Sequence, residues 1–272
     1  MPILHIIIIA LVQGITEFLP ISSSGHLVLT HDFLAIDKME ENDELIMDMA
    51  VHVGTLFAVL LYFRSDVKMM VCAAFSRNSH SDTGDTKLLN FVVLGSVPVI
   101  IAGFALNMVY PQWLRSGYVV AWATIIFGIV LYISDRFFPS GKDLTRLSYK
   151  DALFIGLAQV LALIPGTSRS GITMSAARFC GVSRTEAARF SLLLGIIAIS
   201  GAGILGAIDA LSLQQLDLGY DMALAVLLAF VSGYIAIVLM MKWLARSSFT
   251  PFVIYRVALG IALLCSLHFN LL

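Results

Sequence analysis

The sequence predicts an all-α integral membrane protein, with six transmembrane helices plus two re-entrant helical hairpins arranged as an inverted-topology repeat. Three observations predict this. The chain is 59% apolar and only 13% charged, with a mean hydropathy of +0.91, whereas soluble domains are about 25% charged. Six stretches are long and apolar enough to cross or nearly cross a bilayer, which takes about 20 residues. Two polar-broken segments, 13–25 and 159–171, say nearly the same thing at a constant offset of 146.

Taken in chain order, the first element is a hairpin over roughly 2–34, an apolar arm broken by a polar tip and followed by a second short arm. Crossings follow at roughly 46–63, 88–110 and 117–136. A second hairpin spans roughly 151–182, and further crossings lie at roughly 187–211, 221–244 and 251–272. Arms of about ten residues are too short to span, so both hairpins are read as re-entrant. Non-helical backbone at membrane depth is tolerated only inside protein or against a water-filled cavity. The tips are therefore expected to face one another or a cavity. The whole chain, 1–272, reads as a single membrane domain of two repeats, approximately 1–136 and 151–272.

Charge sets the orientation. Arg64, Lys68, Arg77 and Lys87 share one connection, Arg136, Lys142, Arg146 and Lys150 another, Arg178, Arg184 and Arg189 follow the second hairpin, and Lys242 and Arg246 sit in the last connection. The remaining loops hold Lys38 and Arg115. The positive-inside rule makes the first group cytoplasmic. The acidic stretch Asp37–Asp48 and the connector 212–220 then face outward, as do both termini. One hairpin enters from each side, so the halves are inverted relative to each other. The polar run 76–87 is expected to be a cytoplasmic loop.

Composition also excludes some classes. A net charge of -1 argues against a nucleic-acid partner. Cys72, Cys180 and Cys265 match no disulfide or zinc spacing. The N-terminus lacks the basic region and cleavage pattern of a removable signal peptide.

The duplicated segments hold the residues that could carry chemistry. Gln13 and Glu17 are spaced i,i+4 on one helix face. A carboxylate at helix centre costs about 2.5–3.5 kcal/mol on insertion scales, so it usually faces a cavity, an ion or a partner. Ser22, Ser23, Ser24, Gly25 and His26 follow Pro20. Three hydroxyls exceed what one helix cap needs, and a hydroxyl near an imidazole can form a nucleophile–base pair. Pro165-Gly166-Thr167-Ser168-Arg169-Ser170-Gly171-Ile172-Thr173 is the sharper signal. Arg169 lies between two apolar arms. Glycines let backbone approach a ligand, Ser170 or Thr173 can cap the following arm, and helix amide groups favour an anion. An Arg beside such an end suits phosphate through two parallel charge-assisted bonds. A structural pairing of Arg169 with Glu17 is the plainer reading. Lys242, Arg246 and Arg256 read as snorkelling anchors, with a lipid headgroup contact open for Arg256. His52 reads as structural.

At these residues the chain resembles the bacterial undecaprenyl-diphosphate phosphatases, the bacitracin-resistance family of integral membrane enzymes. The family's Glu/Gln-x-x-x-Glu motif stands here as Gln13–Glu17 and runs into Pro20–His26. Its second motif stands as Pro165–Thr173, and Pro251-Phe252-Val253-Ile254-Tyr255-Arg256 is shared as well. Gln13 takes the place where other members have Glu, and Ser24 that of a commoner Thr. The resemblance implies hydrolysis of a C55 polyprenyl diphosphate to the monophosphate carrier of cell-wall synthesis, and with it bacitracin resistance. It also implies a divalent cation, Mg2+ or Ca2+, and a site in the bacterial inner membrane open to the periplasmic face. On this reading Arg169 holds the diphosphate. Glu17 acts as base or through the metal, His26 shuttles a proton, and Ser23 is the nucleophile, with direct attack by water as the competitor. Gln13, Ser22, Ser24, Gly25, Gly166, Ser168, Ser170 and Thr173 are expected to bind substrate. Association into a homodimer is compatible with this reading. The rival class is a transporter or flippase of polyprenyl phosphate lipids, since inverted repeats with broken helices also build transporters.

Overall fold

The computed structural model describes residues 3–34, 41–75, 84–109, 116–212 and 219–269. Among them the chain is helical throughout, with an isolated bridge between Lys142 and Val182 outside the helices. The helices are α1 (Ile3–Phe18), α2 (Ser23–Leu34), α3 (Glu41–Tyr62), α4 (Arg64–Phe75), α5 (Gly84–Val109), α6 (Gly117–Phe137), α7 (Tyr149–Val160), α8 (Arg169–Phe179), α9 (Arg184–Ser212), α10 (Gly219–Leu244) and α11 (Thr250–His268). The acidic residues 37–40, the run 76–83, Arg115 and the connector 213–218 lie outside the described residues.

Among the described residues four helices are long and apolar enough to cross a membrane: α5 over Thr86–Leu106, and α6, α10 and α11 over their full lengths. A fifth span forms if the bent pair Ile46–Tyr62 and Arg64–Phe75 is one unit. That bend is 85° and falls where the apolar run ends in Arg64, Asp66 and Lys68. What the charge pattern marks as a connection is thus partly α4. The outward faces are apolar, as lipid requires: Ile101 is 65% exposed, and Phe104, Leu239 and Ile254 are similarly open.

Small residues set the helix crossings. In lipid, apolar side chains gain little by leaving the bilayer, so close backbone approach drives association. α1 lies on α10 and α7 lies on α5. A Cβ on Gly14 would fall 2.9 Å from the Ala229 carbonyl, and one on Gly156 would fall 2.6 Å from the Gly95 carbonyl. Side chains there would force both crossings apart. α6 and α11 run against each other, as do α3 and α9.

Arg178 corrects the sequence reading. It is 1% exposed, not a loop cation. Its Nη1 donates to the Val182 carbonyl at 2.6 Å, and its Nε lies 3.3 Å from Asp135 Oδ1, which also pairs with Arg184 at 2.6 Å. Asp135 Oδ2 accepts the Phe249 amide as well. This buried carboxylate ties the ends of α6, α8, α9 and α11 together, which hydropathy could not reveal.

Candidate functional site

The two duplicated segments fold into the same local structure. α1 ends at Phe18, and Ser22 turns the chain with φ 75 before α2 begins at Ser23. α7 continues as a 3-10 turn over Leu161–Leu163, and Ser168 turns the chain with φ 69 before α8 begins at Arg169. Ser22 and Ser168 are the non-glycine residues of positive φ among the described residues. Such backbone costs about 1–3 kcal/mol per residue and gathers at functional sites. In each tip the turning serine caps the next arm: Ser168 Oγ accepts from the Gly171 amide at 3.1 Å, and Ser22 Oγ from the Gly25 amide at 3.5 Å. The cap of α8 is therefore Ser168, not Ser170 or Thr173. Each turning serine also meets the hydroxyl two residues on, Ser22 with Ser24 at 3.3 Å and Ser168 with Ser170 at 3.2 Å.

The tips touch. Ser170 Oγ donates to the Leu19 carbonyl at 2.9 Å. Arg169 Nη2 donates to Glu17 Oε1 at 3.1 Å, and its Nη1 to the Ser191 carbonyl of α9 at 3.2 Å. Glu17, 8% exposed, also accepts on Oε2 from Ser23 Oγ at 2.7 Å and from Gln13 Nε2 at 3.0 Å. A buried carboxylate is tolerable here because three donors surround it, one of them the Arg169 cation. The guanidinium fits against α9 only because residue 195 is glycine: a Cβ there would fall 2.4 Å from Arg169 Nη1. Gly166, at φ +89, lies so close to α6 that a Cβ would meet the Val120 carbonyl at 2.3 Å.

Of the sequence-predicted residues, Gln13, Glu17, Ser23 and Arg169 form one connected cluster. Thr173 stands behind it, bonding Ser191 Oγ at 2.7 Å and the Arg169 carbonyl at 2.8 Å. His26 is not bonded to Ser23. Its Nδ1 is 2.7 Å from the Ser22 carbonyl, an acceptor only, so Nδ1 carries the proton. Nε2 then accepts from the Tyr255 hydroxyl at 2.5 Å, and the two rings stack. The sequence reading missed Ser191, Tyr255 and the true position of Arg256, all of them on helices that read as plain crossings.

Arg256 is no snorkelling anchor. It is fully buried, and its guanidinium donates to the carbonyls of Thr124, Gly166 and Thr167 at 3.1, 2.9 and 2.8 Å. Lys242 and Arg246 do sit exposed at the end of α10. An apolar groove of about 560 Å3 opens beside the tips, lined by Ile15, Leu19, Ala236, Leu239, Trp243 and Phe252.

This arrangement aims two helix N-termini, an arginine and a carboxylate-bonded serine at one place. The model of the family described as "Bacitracin resistance protein BacA" matches residues 6–262. The chain belongs to that family. Similar proteins include an Undecaprenyl-diphosphatase of Alteromonas mediterranea, 45% identical over 97% of this chain and 98% of the relative. An Undecaprenyl-diphosphatase 1 of Pseudoalteromonas translucida is 44% identical, and an Undecaprenyl-diphosphatase of Campylobacter curvus 46%, each over 97% of this chain and 98% of the relative. Family membership and the apolar spans together make the chain a membrane protein.

Proposed function

We propose that this chain hydrolyses undecaprenyl diphosphate to undecaprenyl phosphate and inorganic phosphate, returning the lipid carrier to cell-wall synthesis and conferring bacitracin resistance. The observation that carries the mechanism is the bonded series Arg169–Glu17–Ser23, in which Arg169 joins the two hairpins at 3.1 Å and Glu17 holds the Ser23 hydroxyl at 2.7 Å. Ser23 Oγ attacks the terminal phosphorus while its proton passes to Glu17. The bond from that phosphorus to the bridging oxygen breaks, and undecaprenyl phosphate leaves. Water then attacks the phosphoserine, the bond from phosphorus to Ser23 Oγ breaks, Glu17 returns its proton to Oγ, and phosphate leaves carrying the protons of water. Phosphoryl transfer depends mainly on positioning and charge stabilisation. Arg169 and the first amide groups of α2 and α8 supply the positive field. Ser22, Ser24, Gly25, Gly166, Ser168, Ser170 and Thr173 shape the tips that receive the diphosphate. His26, held by Tyr255, stands at the edge of the tip as a proton carrier. The groove starting at Leu19 suits the first isoprene units.

Among the described residues no group of three or more His, Cys, Asp or Glu side chains gathers at one point, so a divalent cation would rest on Glu17 and on the substrate phosphates. Gln13 Oε1 is buried without a partner beside the Glu17 carboxylate. Magnesium characteristically takes one or two protein oxygens together with substrate phosphates. Bound there, Mg2+ or Ca2+ would neutralise phosphate charge.

In the bilayer we read α3, α5, α6, α9, α10 and α11 as six crossings, and α1–α2 and α7–α8 as re-entrant hairpins in inverted repeats. The matched turns at Ser22 and Ser168 support the repeat, and the positive-inside rule supports a periplasmic opening in the inner membrane. The test is phosphate release from undecaprenyl diphosphate by purified protein in detergent micelles, where no second compartment exists. Turnover above that of a Ser23→Ala control is expected. Absence of release, with lipid movement across reconstituted vesicles, would establish the transporter instead.

A further inference from the structure

Arg256 makes contacts that neither packing nor anchoring accounts for. It sits on α11, fully buried. Among the described residues no carboxylate is paired with it. Its charge is solvated by backbone carbonyls instead: Nε donates to Thr124 at 3.1 Å, Nη1 to Pro20 at 3.3 Å, and Nη2 to Gly166 at 2.9 Å and Thr167 at 2.8 Å. Burying a cation without a counter-ion is costly, so the site that keeps one needs it for something.

The choice of carbonyls says what for. Pro20 and Gly166 stand at the same offset of 146 that relates Ser22 to Ser168. Each carbonyl lies two residues before the turning serine of its tip. The two Nη atoms of one planar fork thus grip the equivalent point of both hairpins, while Nε fastens the fork to α6. A guanidinium can do this because its donors are fixed in one plane; an ammonium cannot span both. The tips also carry the reacting groups, Ser23 three residues past Pro20 and Arg169 three past Gly166. Any slip between the hairpins would therefore move Ser23 against Arg169.

We propose that Arg256 is a positioning residue that holds the two hairpin tips in register, by bonding the equivalent carbonyls of Pro20 and Gly166 with one guanidinium. Its link to catalysis rests on the phosphatase reading above. Its link to the tips does not. The positive charge, compensated only by dipoles, also adds to the field drawing in an anionic headgroup.

The test uses full-length Arg256→Lys in detergent micelles. Three measurements are needed: thermal melting, hydrogen–deuterium exchange of peptides covering 20–27 and 164–173, and kcat with KM for phosphate release. The lysine variant is expected to melt as a folded protein. Both peptides should exchange faster together, while peptides from α3 and α5 keep their protection. A misplacement of about 1 Å can cost about 100-fold, so kcat should fall by about that factor with KM little changed. Where Arg256→Lys does not fold, Gly171→Ala displaces the same fork with its charge retained, because the new Cβ would fall 2.8 Å from Arg256 Nη1. The peptide over 20–27 should then exchange faster although Gly171 is not part of it. Unchanged exchange, or loosening of a single tip in Arg256→Lys, overturns the register role whatever the activity. Loosened tips with wild-type kcat overturn its part in the reaction. Failure of the wild type to release phosphate is a separate result and rejects only the phosphatase reading.

Discussion

Glu17 and Arg169 are 152 residues apart in the chain and 3.1 Å apart in space. Each belongs to a different hairpin, and each offsets the cost of burying the other's charge. The same pair brings the Ser23 hydroxyl and the Arg169 guanidinium to one carboxylate. Arg169 should therefore be indispensable. Arg169→Ala should lower kcat by the roughly 100- to 1,000-fold that removing one preorganised donor costs, about 2.7–4 kcal/mol. Arg169→Lys should also be poor, since a point charge cannot serve Glu17, the Ser191 carbonyl and a phosphate at once. Near-normal kcat in either variant, measured as phosphate release, would remove Arg169 from the mechanism.

Ser23 should differ sharply from its neighbours. Its hydroxyl is bonded to Glu17, while those of Ser22 and Ser24 are bonded to each other. Ser23→Ala should lose activity far more than Ser22→Ala or Ser24→Ala. Rapid quench with substrate labelled at the terminal phosphate should trap a phosphoserine. A fully active enzyme that never carries label would assign the attack to water.

Glu17→Gln keeps the shape and removes the charge. It also leaves the partly buried Arg169 without its counter-ion, which lowers stability. Activity should collapse, and added magnesium or calcium should not restore it. Gln13→Glu should retain activity but become more dependent on a divalent cation, because two carboxylates one helical turn apart repel each other. Identical metal titrations for wild type and Gln13→Glu would count against a cation at this pair.

Gly195→Ala tests the site from a helix that carries none of the reacting groups. Its methyl would overlap the Arg169 guanidinium, so the guanidinium must shift from its place beside Glu17. A fall in kcat of at least about tenfold is expected, with the fold retained, since misplaced catalytic groups cost that much or more. An unchanged rate would mean that the guanidinium has room to move without consequence.

Much of the site was legible because its residues are expensive. Glu17 and Arg169 stand out in apolar arms, and the repeated Gln, Pro-break, Ser and Gly pattern marks where helices stop. Arg256 and Arg178 were misread for the opposite reason. A cation near the end of an apolar helix looks like an anchor, and only neighbouring chain segments show whether it points to water or inward. Ser191 carries no signal in a crossing, where hydroxyls commonly bond their own helix, and Tyr255 shows only as part of the shared run Pro251–Arg256, which does not say what it touches.

Hydropathy and the duplicated motif were enough to establish an all-helical membrane chain, its principal apolar spans, and two broken segments that fold into matched turns. These follow from local cost: each arm must bury apolar surface, and each polar break must have a reason to be there. Which groups meet was decided only by the tertiary structure. Local pattern does not say that Ser23 bonds Glu17 and not His26, that Gly195 makes room for Arg169, or that one guanidinium on α11 grips both tips. The bond from Arg256 to Pro20 joins opposite halves of the chain, Gly195 meets Arg169 between two helices of one half, and the Ser23–Glu17 bond depends on how the first hairpin turns, so each exists only once the helices are packed.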